Sequence, residues 1–315
     1  GLAMFATATG ADLTGVQSDL VARYTLMQVR LVLSTAYSQY GGKQLFNGSA
    51  THDVDVYKVI YSTSNAGDST PGAERGLYLS GLIMVPNRTD ASFTTSAWIH
   101  DTTTVTQNVP SNAFDDCDDS TPSLNGSTSG DIAEAEEECC IPNANMGPEA
   151  VAGAFATAAM GYVAIVPDGI GYGHSSSVSP CFLIAEDYAI ATIHLHAAAR
   201  KLVPTLGGSN SVSSRMMVVG SGEGGYGALA VHRESYNVEW TEANVKIVAS
   251  FPIGAYTNPT YEMDLFIPAE DEDEDKDKGN TKHRREVRMK RSNAAYTYPV
   301  YGFYLAYSYW KSGGV

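Results

Sequence analysis

Positive charge is scarce in this chain: 20 Lys and Arg stand against 35 Asp and Glu, for a formal net charge of −15. A surface of that sign repels phosphates, which excludes nucleic acid as a partner. Long apolar runs are scarce too. One uncharged run, Ala150 to Pro167, approaches the length of a membrane span. Its Gly153 and Gly161, and its change from small residues over 150–160 to a β-rich stretch over 162–166, argue against a span. A buried helix feeding a buried strand is expected instead. Internal repeats are absent. The acidic residues Asp115, Asp116, Asp118, Asp119, Asp131, Glu134, Glu136, Glu137 and Glu138 lack the spaced Asp/Asn/Gly pattern of a calcium loop, so they read as a solvated surface. His194 and His196 lie two apart on a predicted helix and face different sides, which excludes a helical metal pair. No metal or cofactor is expected.

Cysteine is also sparse. Cys117, Cys139, Cys140 and Cys181 allow two disulfides in three connectivities, of which the adjacent Cys139–Cys140 pair is the least favourable geometrically. Reduced thiols are the alternative, and the sequons weigh against it. Asn47-Gly-Ser, Asn87-Arg-Thr and Asn125-Gly-Ser satisfy the N-glycosylation rule, whereas proline blocks Asn258-Pro-Thr. A secreted, glycosylated, disulfide-bonded protein is therefore expected, in a mature or processed form because no signal peptide precedes Gly1.

The sequence does carry a clear alternation of elements. A helical segment is expected over 12–40, with Asp12 and Thr14 as cap candidates, inside an N-terminal region of 1–50. Alternating residues over 53–63 predict a strand, 76–86 its partner, and 96–100 a short buried strand. An irregular acidic loop pinned by disulfides is expected over 104–148. Helix 148–160, strand 161–167, helix 185–203, strand 215–220, a helix from Glu223 and strand 244–252 follow at βα spacing. A doubly wound, mostly parallel α/β sheet over 51–256 is the expected fold class. Residues 257–315 form a third region. It holds the acidic run 270–275, the basic run 282–291 and the aromatic stretch 296–310, and reads as a charged insertion with a cap-like segment. Arg288-Met-Lys-Arg291 has the look of a furin-type cleavage site, although a basic patch balancing the acidic run is the preferred reading.

The segment Val218-Val-Gly-Ser-Gly-Glu-Gly-Gly-Tyr-Gly runs from a hydrophobic strand through a glycine-dense turn into a helix. That is the setting of the nucleophile elbow, G-x-S-x-G, whose central residue is held at positive φ. Aligned so, Gly220 and Gly224 are the outer glycines, Ser221 is the variable position, Gly222 stands where the nucleophile would be, and Glu223 follows it. Glycine permits the turn but supplies no hydroxyl for an acyl-enzyme. Ser221 sits one residue too early to replace it. Glu223 is expected to present its N–H to the site rather than to act as an acid or base. His174 reads as a loop histidine.

In these features the chain resembles the secreted α/β-hydrolases grouped with secretory lipases and prolyl-aminopeptidase-like esterases. The resemblance rests on 54–63, 80–86, His100-Asp-Thr-Thr103, Val109-Pro-Ser111, Pro167-Asp-Gly-Ile-Gly-Tyr-Gly173 and the elbow, in that order. It implies an α/β-hydrolase fold over about residues 50–315 apart from the charged insertion, with an oxyanion loop at His100, Asp101 and Thr102. The family usually has His-Gly where this chain has His100-Asp101, and a carboxylate there opposes a developing negative charge. The resemblance also implies that the acid and histidine of a triad follow later strands. The one histidine beyond the elbow helix is His283, within the charged insertion, so the last core strands are expected to be missing from this chain. An inactive hydrolase-like protein with a binding, structural or assembly role is the expectation. The alternative is a carboxylic-ester hydrolase whose nucleophile is substituted in this chain. A sheet edge left near 244–252 is expected to be covered by another polypeptide, by a cleaved C-terminal part of the same chain, or through oligomer formation.

Overall fold

The computed structural model describes residues 15–35, 50–63, 76–89, 91–103, 105–115, 142–143, 146–180, 182–236 and 245–255. The four cysteines, Asn47, Asn125, His283, Arg291 and the charged and aromatic segments fall outside the described residues.

Among the described residues a 7-stranded sheet forms the centre, with strands β1 (Val16–Tyr24), β2 (Val54–Ser62), β3 (Tyr78–Pro86), β4 (Ser92–Ile99), β5 (Val163–Pro167), β6 (Ser211–Ser221) and β7 (Lys246–Ile253). Their order across the sheet is β1-β2-β3-β5-β4-β6-β7. Strands β4, β5, β6 and β7 pair in parallel, while β1, β2 and β3 pair antiparallel with one another and β3 with β5. The sheet is thus mixed but mostly parallel, as expected.

Period-two alternation sends successive residues to opposite faces. Ile83, Val163 and Ile165 pack with α3 (Ala185–Leu202) and α4 (Glu223–Glu234). Leu82, Met84, Ala164 and Val166 pack with α1 (Leu26–Thr35) and α2 (Pro148–Ala159). Helices therefore cover both faces, and the central strands β3 and β5 read as nearly continuous apolar runs because both of their sides are buried. The uncharged run 150–167 is divided between α2 and β5, and among the described residues no helix is long and apolar enough to cross a membrane.

The helix expected over 12–40 is corrected. Residues 16–24 form β1, paired with β2 from Val16↔Tyr61 to Tyr24↔Val54, and the helix begins only at Leu26. The helical spacing of Val16, Leu20 and Tyr24 is coincidental, since Leu20 is exposed while Tyr24 is buried. A capping box sets the true start. Thr25 Oγ1 accepts from Gln28 N at 3.3 Å and Thr25 N donates to Gln28 Oε1 at 2.8 Å. Asp53 Oδ1, just before β2, accepts from Leu26 N at 2.7 Å. The strand at 96–100 is longer than expected, beginning at Ser92.

The crossovers locate the functional end. From β4 the chain passes through α2 on one face, and from β6 it passes through α4 on the other. Strands β4 and β6 are neighbours, so their carboxyl ends flank a switch point, the place where open α/β sheets bind ligands.

Candidate functional site

Two loops meet at that switch point: His100–Thr103 after β4, and the turn at Gly222 after β6. Gly222 has φ 55° and ψ −119°, a conformation that L side chains rarely adopt. Its N–H donates to Ile253 O at 2.9 Å, tying the turn to the end of β7. The outer glycines are needed for close approach. A Cβ on Gly220 would run into the backbone of Gly224, and one on Gly224 would meet Ile99 O and lie 2.8 Å from His100 O. The nucleophile elbow is thus present in shape, with glycine at its apex. Ser221, on the last residue of β6, is half-buried.

Asp101 is exposed, but its Oδ1 reaches into the turn. It accepts from Glu223 N at 2.9 Å and from Thr102 N at 2.8 Å. In acyl-transfer enzymes of this geometry, the N–H following the nucleophile and one from the preceding strand's loop stabilise the oxyanion. Here a carboxylate of the chain itself takes that place. Asp101 N–H is engaged elsewhere, donating to Oε1 of Glu149 in the first turn of α2 at 2.7 Å.

Beneath this pair lies His100, buried beside β4. Its Nδ1 is 2.7 Å from Asp101 O and its Nε2 is 2.9 Å from Asp168 O. Both partners are carbonyls, and only the protonated ring can donate to both at once. Burial works against that charge, but the carbonyls of Asp168 and Asp101 and the carboxylates of Glu149 and Glu223 outweigh it. The pKa stands above the usual 6.5.

Glu223 donates its N–H to Asp101, while its carboxyl is buried. Tyr188 on α3 donates its hydroxyl to Glu223 Oε1. Burial raises the Glu223 pKa, opposed by the Tyr188 and Thr102 hydroxyls and by His100. Asp168 is fully buried at the end of β5, where Oδ2 accepts from Ser80 Oγ at 2.6 Å and Oδ1 from Ser111 N at 2.9 Å. Burial raises its pKa against those hydrogen bonds. Tyr172 OH donates to Thr103 O at 3.1 Å.

The separated sequence pieces 80–86, 100–103, 109–111 and 167–173 thus converge on one network. Asp168, Ser80, Tyr188 and Glu149 were not marked as site residues by the sequence. Asp168 and Ser80 lay inside quoted motifs, but nothing local showed that their side chains meet. A small cavity of about 30 Å³ lies among His100, Asp168, Tyr172, Tyr188, Thr192 and Glu223. That is room for a water or two, not for an acyl chain.

Other sequence candidates fall elsewhere. His174 is exposed on the 173–175 turn and does not line the cavity. His196 is buried, with Nδ1 3.0 Å from Thr95 Oγ1. No cluster suited to a metal occurs among the described residues. Asn87 is exposed between β3 and β4.

No family model and no curated protein matches the chain. Solved structures do. A Legionella pneumophila protein assigned to the hydrolases superposes with TM-score 0.56 at 16% identity, covering 79% of this chain and 54% of that one. The rice cell wall degrading esterase LipA from Xanthomonas oryzae superposes with TM-score 0.54 at 20% identity, covering 82% of this chain and 54% of that one. The chain spans about half the length of these structures. At such identities the likeness is one of architecture, and with the strand order, the switch point and the elbow it establishes that the chain has the α/β-hydrolase fold.

Proposed function

We propose that this chain is a non-catalytic hydrolase-fold protein, secreted and glycosylated, with a binding or structural role. The observation that carries the reading is Gly222 at the apex of an otherwise well-formed elbow. No covalent acyl-enzyme forms without a nucleophile there. The engaged oxyanion donors at Glu223 and Thr102 point the same way. Incubation with short acyl esters and with a fluorophosphonate tests it. The expected result is neither turnover nor an adduct.

The partner in this reading is a polypeptide covering the β7 edge, either a cleaved C-terminal part of the same chain, another subunit or a further copy. In support, β7 ends the sheet order among the described residues, and Val248, Phe251 and Ile253 on it are exposed. Native mass spectrometry that found only the single, uncomplexed chain would remove this part. Secretion rests on the sequons and the even count of four cysteines, with Asn87 exposed as an acceptor must be. An enzymatic deglycosylation that leaves the mass of the natively expressed protein unchanged would remove that part.

A second reading is a carboxylic-ester hydrolase with its nucleophile substituted in this chain. It is favoured by the backbone at Gly222, which keeps the positive-φ geometry of an elbow apex although no side chain stands there.

A further inference from the structure

We infer that the Asp101 carboxylate and a side chain at position 222 exclude one another: the carboxylate is a built-in occupant of the oxyanion pocket, and the absence of a side chain at 222 is what admits it. The inference deepens the non-catalytic reading and rests on it.

Three observations carry it. Oδ1 of Asp101 accepts from both Glu223 N and Thr102 N, at 2.9 and 2.8 Å, so it satisfies the donors that would otherwise face a tetrahedral oxyanion. A Cβ built on Gly222 would collide with that same Oδ1 and lie 2.7 Å from both Cγ and Oδ2 of Asp101. The main chain that carries the carboxylate is also held. Asp101 N–H donates to Glu149, and Asp101 O accepts from the buried His100 ring. The loop thus has its own anchors on both sides of the side chain. Swinging the carboxylate aside to admit a Cβ gives up its bonds from Glu223 N and Thr102 N.

Placing a serine at 222 alone therefore does not restore the pocket. The new Cβ meets the very carboxylate oxygen that the oxyanion donors hold. Conversely, removing the Asp101 side chain alone exposes the N–H groups of Glu223 and Thr102 without gaining a nucleophile. The carboxylate in this position thus requires the absence of a side chain at 222.

The test is a double-substitution cycle of Asp101→Gly and Gly222→Ser in the full chain, read by thermal midpoint. The strain of a side chain at positive φ enters both proteins that carry Gly222→Ser and cancels between them. Asp101→Gly is expected to lower the midpoint beside the unsubstituted Gly222, where it removes a cap. In the Gly222→Ser background it is expected to raise the midpoint, because there it removes a collision. Equal lowering in both backgrounds overturns the inference. Amide exchange supplies a second reading that needs no substitution at Gly222. Exchange at Glu223 and Thr102 is expected to accelerate in Asp101→Gly and to stay slow in Asp101→Asn, which keeps an acceptor oxygen. Unchanged exchange in Asp101→Gly overturns the inference. Ester turnover by the unsubstituted protein would sink the non-catalytic reading while leaving these two measurements standing.

Discussion

The carboxylate of Asp101 occupies the space into which a side chain at Gly222 would project, with Cγ and Oδ2 each 2.7 Å from the position of that side chain's first carbon. The two residues lie on loops from adjacent strands, β4 and β6, and their contact closes the switch point of the sheet. An enzyme keeps that point open for the reacting carbonyl. This chain fills it with its own charge.

The close approach of α4 to β4 depends on Gly224. A Cβ there meets the main chain at Ile99 and His100, which has no side-chain freedom to yield. Gly224→Ala is expected to cost about 2–3 kcal/mol, the upper range for overpacking. Urea denaturation of the two proteins measures it, and a midpoint equal to that of the unsubstituted chain would show that the strand and helix do not touch.

His100 and Glu223 give the site a dependence on pH of one sign. The folded state raises the His100 pKa above 6.5, so its stabilisation is complete below pH 6.5 and is lost as the pH rises through the raised value. The stability gap between the protein and His100→Asn is expected to close with rising pH. Glu223 is likewise raised above 4.5, so the folded state holds that proton more tightly than the unfolded chain. Glu223→Gln is expected to gain on the parent as the pH rises past 4.5. Stability curves at several pH values check both, and a His100→Asn gap that widened toward alkaline pH would reverse the assignment.

His196 acts with the opposite sign. Burial, with Arg200 nearby, lowers its pKa from 6.5 to about 4. The folded state stays neutral where the unfolded chain takes up a proton, so this contribution is present above pH 6.5 and lost as the pH falls toward 4. The shift corresponds to roughly 3 kcal/mol at 1.36 kcal/mol per unit. The protein is expected to lose about that much relative to His196→Gln over this interval. Parallel curves for the two would show that the ring is not held neutral.

The parts of the fold that were legible in the sequence are those where local pattern and burial agree. The strand at Val163–Pro167 and the helix at Ala185–Leu202 are short- and long-period versions of one rule, and both stand within a residue or two of expectation. The elbow was legible because glycine density has few other causes. The first strand was not. Val16, Leu20 and Tyr24 have helical spacing, and only pairing with β2 decides otherwise, a contact between segments far apart in the chain that no local pattern encodes. The capping box at Thr25 and Gln28 was present in the sequence and would have moved the helix start. In the site, Gly222 and Asp101 were visible separately as departures from a family pattern. That they touch, and that Glu149 and His100 brace the contact, depends on the β4–β6 register and on where α2 begins.

The absence of a working nucleophile is tested most directly by the intact mass of the protein after exposure to a fluorophosphonate, compared with an untreated sample. With Gly222 at the apex and Asp101 across the oxyanion donors, the two masses are expected to be the same. A stoichiometric phosphonyl adduct on a serine, at Ser221 or elsewhere, would contradict the account.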